Sequence, residues 1–302
     1  MRHSNILSLG LVLVAGVSLV TPAMAVVNMV YVPIGDAGNT ADPLTGSLYG
    51  AVDHAYNIGK YEVTNAQYVD FLNAKGASNS FGIYNIHMLS ITQTGSAGGY
   101  TYSVNSSYAN NPVVSVTWFD AARFCNWLGN GQGSGDTEAG AYTLISGQTT
   151  GIVTVNPGAQ VYIPSENEWY KAAYYNGAAG TYSLYPDGRN DINHADANYY
   201  PNVPGLVNVN RGTASSYGTY GQGGNAWEWN DAVVSGTRRG RRGGSWNYIP
   251  LTGMGLASTA RLTEDPSVEY NDIGFRVASV PEPTSVFLAI FASGMLLTRR
   301  KG

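Results

Sequence analysis

Apolar residues recur every three to four positions in three stretches, each opened by a hydroxyl residue with an acid or amide three places on. Thr64 precedes Gln67 and a stripe of Tyr68, Phe71 and Leu72. Thr117 precedes Asp120 and a face of Trp118, Ala121, Ala122, Cys125 and Leu128, with Gly129 as a stop. Ser165 precedes Glu168, Trp169, Ala172 and Ala173. This pairing is that of a capping box, so the pattern predicts three helices, each burying one face. Tyr142–Ile145, Ile152–Val155 and Val161–Ile163 are short apolar runs bounded by Gly, Ser and Thr, and predict strands. From Tyr174 to Tyr220 the chain is mostly Tyr, Asn, Gly and Pro without a period, and a loop of that length needs something to pin it. No repeat or linker divides the body, which predicts one domain over residues 26–279.

The ends follow other patterns. Residues 1–25 read as a signal peptide: Arg2 and His3, an apolar run from Ile6 to Val20, and a small-x-small site at Ala23-Met24-Ala25. Residues 280–302 carry Val280-Pro281-Glu282-Pro283-Thr284, an apolar run from Val286 to Leu297, and Arg299-Arg300-Lys301. That run is short for a bilayer span, and its basic end would stay cytoplasmic. The order resembles the PEP-CTERM sorting signal of bacterial envelope proteins. The resemblance implies export to the envelope or beyond, transient membrane association through the tail, and processing by an exosortase-type protease.

Composition narrows the picture. Charged residues are 12% of the chain, about half the usual share, beside 38 Gly and 22 Tyr, while 44% apolar residues suffice for a sizeable core. Without its ends the domain holds 12 basic and 19 acidic residues, a net charge of about −7 that disfavours nucleic acid as a partner. Cys125 is the one cysteine, so no internal disulfide can brace the fold.

The most specific motifs are Gly59-Lys60-Tyr61-Glu62-Val63-Thr64-Asn65, Pro112 to Trp118, Pro164-Ser165-Glu166-Asn167-Glu168-Trp169, Gly224-Asn225-Ala226-Trp227-Glu228-Trp229, Arg242-Gly243-Gly244-Ser245-Trp246 and Asn271-Asp272-Ile273-Gly274-Phe275-Arg276. In this order they resemble the sulfatase-modifying factor family, that of the formylglycine-generating enzyme, over nearly the whole mature chain. The resemblance implies a single α+β domain, a C-type-lectin-like variant with sparse regular secondary structure.

The chemistry departs from that family. Its enzyme binds copper through two cysteines that follow the Gly-Gly-Ser-aromatic motif, and soft thiolates suit Cu(I). The equivalent positions here fall at about Tyr248 and Gly253. Cys125 lies on an apolar helical stripe, where a buried inert thiol is the simpler reading. Neither copper nor formylglycine generation is expected, and a non-catalytic binding module is favoured over an enzyme with cysteine-independent chemistry. Ser245 and Trp227, with Tyr248, are pocket candidates by position, although the first two also belong to motifs that close the core. The family further implies calcium. One site would use Glu228 with the carbonyls of Gly224 and Ala226, and lacks a side chain at Gly221. Another would begin at Asn198 and the Tyr199 carbonyl. These oxygen-rich sets suit Ca²⁺, while a hydrogen-bonded structural carboxylate is the alternative for Glu228. The run Arg238, Arg239, Arg241, Arg242 reads as a solvated hairpin face, or as a seat for an extracellular polysaccharide or envelope polymer.

Overall fold

The computed structural model describes residues 26–200, 204–247 and 255–281. The expected signal peptide, Tyr248, Gly253 and nearly all of the expected tail lie outside them. In chain order the elements are β1 (Tyr31–Ile34), β2 (Tyr56–Gly59), α1 (Asn65–Lys75), β3 (Ile91–Thr94), β4 (Thr101–Val104), α2 (Trp118–Gly129), β5 (Val161–Tyr162), α3 (Glu166–Tyr174), β6 (Tyr175–Asn176), β7 (Thr181–Tyr182), β8 (Trp227–Ser235), β9 (Arg238–Arg242), β10 (Leu262–Glu264), β11 (Ile273–Phe275) and β12 (Ala278–Ser279). Helices and strands alternate irregularly among long turns, an α+β architecture.

All three helices start at the predicted caps. Thr64, Thr117 and Ser165 each accept from the backbone N–H three residues on, and Gln67, Asp120 and Glu168 reach back to the cap. The prediction of one buried face holds for α1 and fails for α2 and α3; in α3 only Asn167 lies outside the buried set. Every residue of α2 from Trp118 to Trp127 is buried, because the 130–150 segment covers its polar side. Asp120 and Glu138 flank Arg123 there, and Asn126 donates to the carbonyls of Thr137 and Tyr142. Of the three predicted strands only Val161–Tyr162 forms; Tyr142 and Val155 meet in one isolated bridge.

Two four-stranded sheets frame the core. One has the order β1-β2-β12-β5 and is antiparallel throughout. The other has the order β10-β9-β8-β11, with β11 parallel to β8. The main cluster joins α1 and α2 to Trp227, Trp229, Ile273 and Phe275 of the second sheet. Phe124 sits edge-on to both Phe71 and Phe275 and so links α1, α2 and β11. Beyond β12 the Val280 N–H bonds the Gln160 carbonyl, so the chain leaves beside β5.

The Tyr174–Tyr220 segment is held by hydrogen bonds to the rest of the domain. Tyr220 N–H bonds Lys60 O, Val209 N–H bonds Asn110 O, and Ser258 N–H bonds Leu184 O. Asn198 pairs with Gly224 in a parallel bridge. Aromatic contacts of Tyr182 with Tyr170 and Tyr175 fix the hairpin that β6 and β7 form.

Candidate functional site

The Gly-Gly-Ser-Trp segment leaves β9 through two residues in the left-handed region, Gly243 (φ 100°) and Gly244 (φ 78°). A Cβ on Gly244 would lie 2.9 Å from Leu256 Cδ1, so side chains are excluded by both backbone and space. The turn drives Ser245 inward. It is 0% exposed and donates to Asp272 Oδ2 at 2.8 Å. Trp227 is equally buried in the main cluster, with the Arg241 guanidinium 5.0 Å from its ring. Of the three pocket candidates, Ser245 and Trp227 are therefore buried, and Tyr248 lies outside the described residues. Trp246, the next residue, is part-exposed, and its N–H is fixed on Asn225 O at 3.0 Å. It lines a cleft of about 200 Å³ together with Asn65, Met88, Asn111, Leu206 and Asn271. Trp246 and Asn271 belong to two of the motifs above, but nothing in those motifs marks either as a cleft residue.

The metal candidates divide. Glu228 is 0% exposed, and Arg276 grips it from Nε to Oε2 and from Nη2 to Oε1, each at 2.6 Å, while Trp169 Nε1 donates to Oε2 at 2.7 Å. Its oxygens already serve a guanidinium and an indole, the arrangement of a structural carboxylate. Asn198 differs: it is 4% exposed, and its Oδ1 is buried without a hydrogen-bond partner among the described residues. Tyr199 stacks on His194 with ring centroids 4.2 Å apart. Gly224 must remain glycine, because a Cβ there would fall 2.3 Å from Asn198 O. Ala226 is fully buried beside it. Among the described residues no three His, Cys, Asp or Glu side chains gather around one point.

Between these candidates lies a group that the sequence did not reveal. Glu62 is 0% exposed, accepts a hydrogen bond from Asn225 Nδ2 (3.2 Å), and its Oε2 has no partner among the described residues. Burial, reinforced by the neighbouring Glu228 charge and opposed by Arg276, pushes its carboxyl up to about 8. Its carboxylate fills the space beside Gly221, where a Cβ would stand 2.2 Å from Oε2. Asn225, at φ 65°, is the hub: it also pairs with both main-chain groups of Val207 and accepts from Asn198 Nδ2.

The arginine run contradicts the solvated-face reading. β9 turns Arg239 and Arg242 fully inward and leaves Arg238 the most exposed of the four. Arg239 lies 3.6 Å from the Trp118 ring centroid and pairs with Asp231; Arg242 shares Glu166 with Arg261 and lies 4.4 Å from the Tyr49 ring. Arg238 and Arg241 both face Glu264. The four guanidiniums share three carboxylates, Asp231, Glu166 and Glu264, so the run serves mainly as an internal brace, with Arg238 as its exposed member.

A second cavity, about 300 Å³, collects titratable groups from distant parts of the chain. His54 Nε2 approaches Glu168 Oε1 at 3.1 Å, Tyr162 donates to the same oxygen at 2.8 Å, and Asp53 lies 2.8 Å from His54 Nδ1. Burial works against the imidazolium, but the hydrogen bonds to Asp53 and Glu168 outweigh it and raise the His54 pKa. Asp231 completes the lining. Burial pushes its carboxyl up to about 7 despite Arg239, with Glu168 adding to the rise. These residues are up to 178 positions apart, from Asp53 to Asp231, which is why no motif announces them.

Cys125 is fully buried on α2, and burial holds its thiol well above the usual range, so it stays protonated.

Residues 18–280 match the family model described as the sulfatase-modifying factor enzyme 1-like domain. Among solved structures, Treponema denticola variable protein 1 aligns at a TM-score of 0.58 and 21% identity, covering 86% of this chain and 98% of that one. CarF aligns at 0.57 and 20% identity, covering 84% and 99%, and PvdO from Pseudomonas aeruginosa at 0.52 and 19%, covering 84% and 94%. At such identities these likenesses establish the fold. A curated relative, the serine/threonine-protein kinase pkn1 of Chlamydia caviae, is 23% identical over 245 residues, 74% of this chain and 33% of that protein. Pkn1 of Chlamydia trachomatis serovar L2 is 25% identical over 238 residues, 72% of this chain and 32% of that protein. The chain thus spans about a third of the length of the curated relatives it matches.

Proposed function

Because the chain belongs to the sulfatase-modifying factor enzyme 1-like family yet carries a single, buried cysteine, we propose that it is an exported, non-catalytic binding module on that scaffold. The observation that carries this reading is Cys125: the one thiol of the chain is 0% exposed on a core helix, and Tyr248 and Gly253 supply no thiolate. Copper as Cu(I) would find no soft ligand pair. The burial of Ser245 and Trp227 supports the reading further, since both are spent on packing. The test is incubation with a cysteine-containing sulfatase peptide, copper and oxygen. The peptide mass should stay unchanged; loss of the thiol with a matching aldehyde would overturn the reading.

The reading of its destination rests on the signal-peptide-like and PEP-CTERM-like patterns. The tail from Val280 acts as an address, read by an exosortase-type protease after transient membrane contact, which places the domain in the envelope or outside the cell. Among the described residues no helix is long and apolar enough to cross a membrane. The partner is an extracellular polysaccharide or envelope polymer.

Calcium belongs to this proposal at one site only. Asn198 fits an oxygen-seeking ion, because its buried Oδ1 has no hydrogen-bond partner among the described residues and the residue lines a void of about 10 Å³, close to the size that one water needs. Glu228 does not fit, since Arg276 presses a positive charge against both its oxygens. A second reading, an enzyme with cysteine-independent chemistry, has one observation in its favour: the convergence of His54, Glu168, Tyr162 and Asp231 on one cavity.

A further inference from the structure

Among the described residues the cleft beside Trp246 is lined by no Asp, Glu, Lys or Arg side chain, and His87 is its one basic side chain. Its walls combine aromatic and aliphatic surface with amides. Asn65 Nδ2 donates to Tyr108 O and Asn111 Nδ2 to Leu206 O, both at 3.0 Å, which leaves each side-chain oxygen as the free acceptor among the described residues. The walls are also tied in place. Asn85 Nδ2 bonds Ser115 O at 2.6 Å, Ser115 Oγ bonds His87 O at 3.1 Å, and Trp246 N–H bonds Asn225 O at 3.0 Å. A ligand entering here pays little to order the protein.

We propose that this cleft is a subsite for one uncharged sugar ring of an extracellular polymer, with Trp246 as the apolar face and Asn65, Asn111 and Asn271 as amide partners for its hydroxyls. The inference rests on the binding-module reading and deepens it. Aromatic rings with a polar tip cover the C–H face of a ring, and side-chain amides both donate and accept, as a hydroxyl does. The volume, about 200 Å³, lies below the roughly 300–1,000 Å³ of sites that enclose drug-sized ligands, so the cleft holds one unit while the polymer continues outside. An acidic polymer is disfavoured twice over: the described lining of the cleft holds no Lys or Arg, and Arg239 and Arg242 are turned inward onto Asp231 and Glu166. A peptide docking by strand addition needs a free sheet edge, whereas helix α1 and loops form these walls.

The experiment probes the full chain on an array of neutral glucose-, galactose- and mannose-based oligosaccharides, uronic-acid and sulfated glycans, and unstructured peptides. Neutral oligosaccharides should be retained. Trp246→Ala should weaken retention about tenfold, the scale of one lost aromatic contact, and Trp246→Phe should restore most of it. Leu89→Arg supplies an independent arm, because Leu89 is 85% exposed at the cleft and the core does not need it; it should also weaken binding about tenfold. Retention of acidic glycans or peptides alone, of no ligand at all, or of neutral glycans undiminished in both Trp246→Ala and Leu89→Arg would refute the subsite. None of those outcomes touches the non-catalytic reading, which the sulfatase-peptide assay decides.

Discussion

Arg276 clasps both carboxylate oxygens of Glu228 at 2.6 Å, and neither side chain has any solvent exposure. Strand β11 runs parallel to β8 and sets Ile273, Gly274 and Phe275 against Trp227, Glu228 and Trp229, which brings the guanidinium just past β11 to the Glu228 carboxylate. Arg276 also donates to the carbonyls of Gly59 and Tyr220, so one side chain ties both sheets to the long Tyr-rich segment. Removing one member of such a pair leaves a buried charge without its partner. Glu228→Gln should destabilise the domain by about 3–5 kcal/mol in denaturant unfolding. A loss below 1 kcal/mol would mean that the pair is not the brace described.

Glu62 should make stability depend on pH in a definite direction. Its carboxyl is raised from 4.5 to about 8 in the folded state, mainly by burial. Between those values the folded protein holds a proton that the unfolded chain has released, so stability falls as pH rises through the window, and the penalty is complete above about 8. Glu62→Gln keeps the shape without the titration. Its melting temperature should match the wild type near pH 5 and exceed it at pH 9. Parallel profiles for the two proteins would show that Glu62 is not protonated in the fold.

Much of the scaffold was legible because it is written locally. A capping box needs only residues three apart, so Thr64, Thr117 and Ser165 marked all three helix starts. What failed depends on residues far apart in sequence. Arg239 looks like a surface charge until β9 packs it on Trp118, 121 positions away. Tyr142 to Ile145 looks like a strand, yet Asn126 claims both main-chain groups of Tyr142. Glu62 stood in a quoted motif, but its isolation follows from Gly221 and Asn225, which reach it only in the fold. The cleft escaped notice for the same reason: the start of α1 and loops far apart in sequence supply it.

The arginine run predicts a sharp contrast between neighbours. Arg239 donates to Asp231 and Val153 while lying flat on Trp118, and a lysine ammonium cannot reproduce that fork. Arg239→Lys should cost about 1–3 kcal/mol, the price of buried acceptors left unmet. Arg238, the exposed member, should tolerate Lys within about 0.5 kcal/mol. Equal effects at both positions would restore the solvated-face reading.

Cys125 should behave as a core side chain without chemistry. Iodoacetamide should label it only after unfolding, because the thiol is both buried and protonated. Cys125→Ser should cost about 1–3 kcal/mol for a buried hydroxyl without a ready partner. Rapid labelling of the native protein would contradict the buried position.

Calcium gives the last prediction, and the two candidate sites make it discriminating. An ion that binds only the folded state stabilises it by RT ln(1 + [L]/Kd), about 2.7 kcal/mol at a hundredfold excess over Kd. Asn198 presents a buried Oδ1 with no hydrogen-bond partner among the described residues and lines a void of about 10 Å³ in the long segment. Its Nδ2 bonds the Gly205 carbonyl at 2.9 Å, which fixes the amide so that the oxygen points away from that carbonyl. Glu228 is already neutralised by Arg276. Thermal unfolding with calcium and with chelator should therefore separate the variants. Calcium should raise the wild-type midpoint by several degrees, and Asn198→Ala should abolish the rise. Glu228→Gln should lower the midpoint under both conditions while keeping the calcium-dependent difference. If Asn198→Ala retains the full rise and Glu228→Gln loses it, the ion sits at the carboxylate despite Arg276. If chelator moves no midpoint, the hydrogen bonds from Tyr220, Val209 and the Asn198–Gly224 bridge hold the segment by themselves.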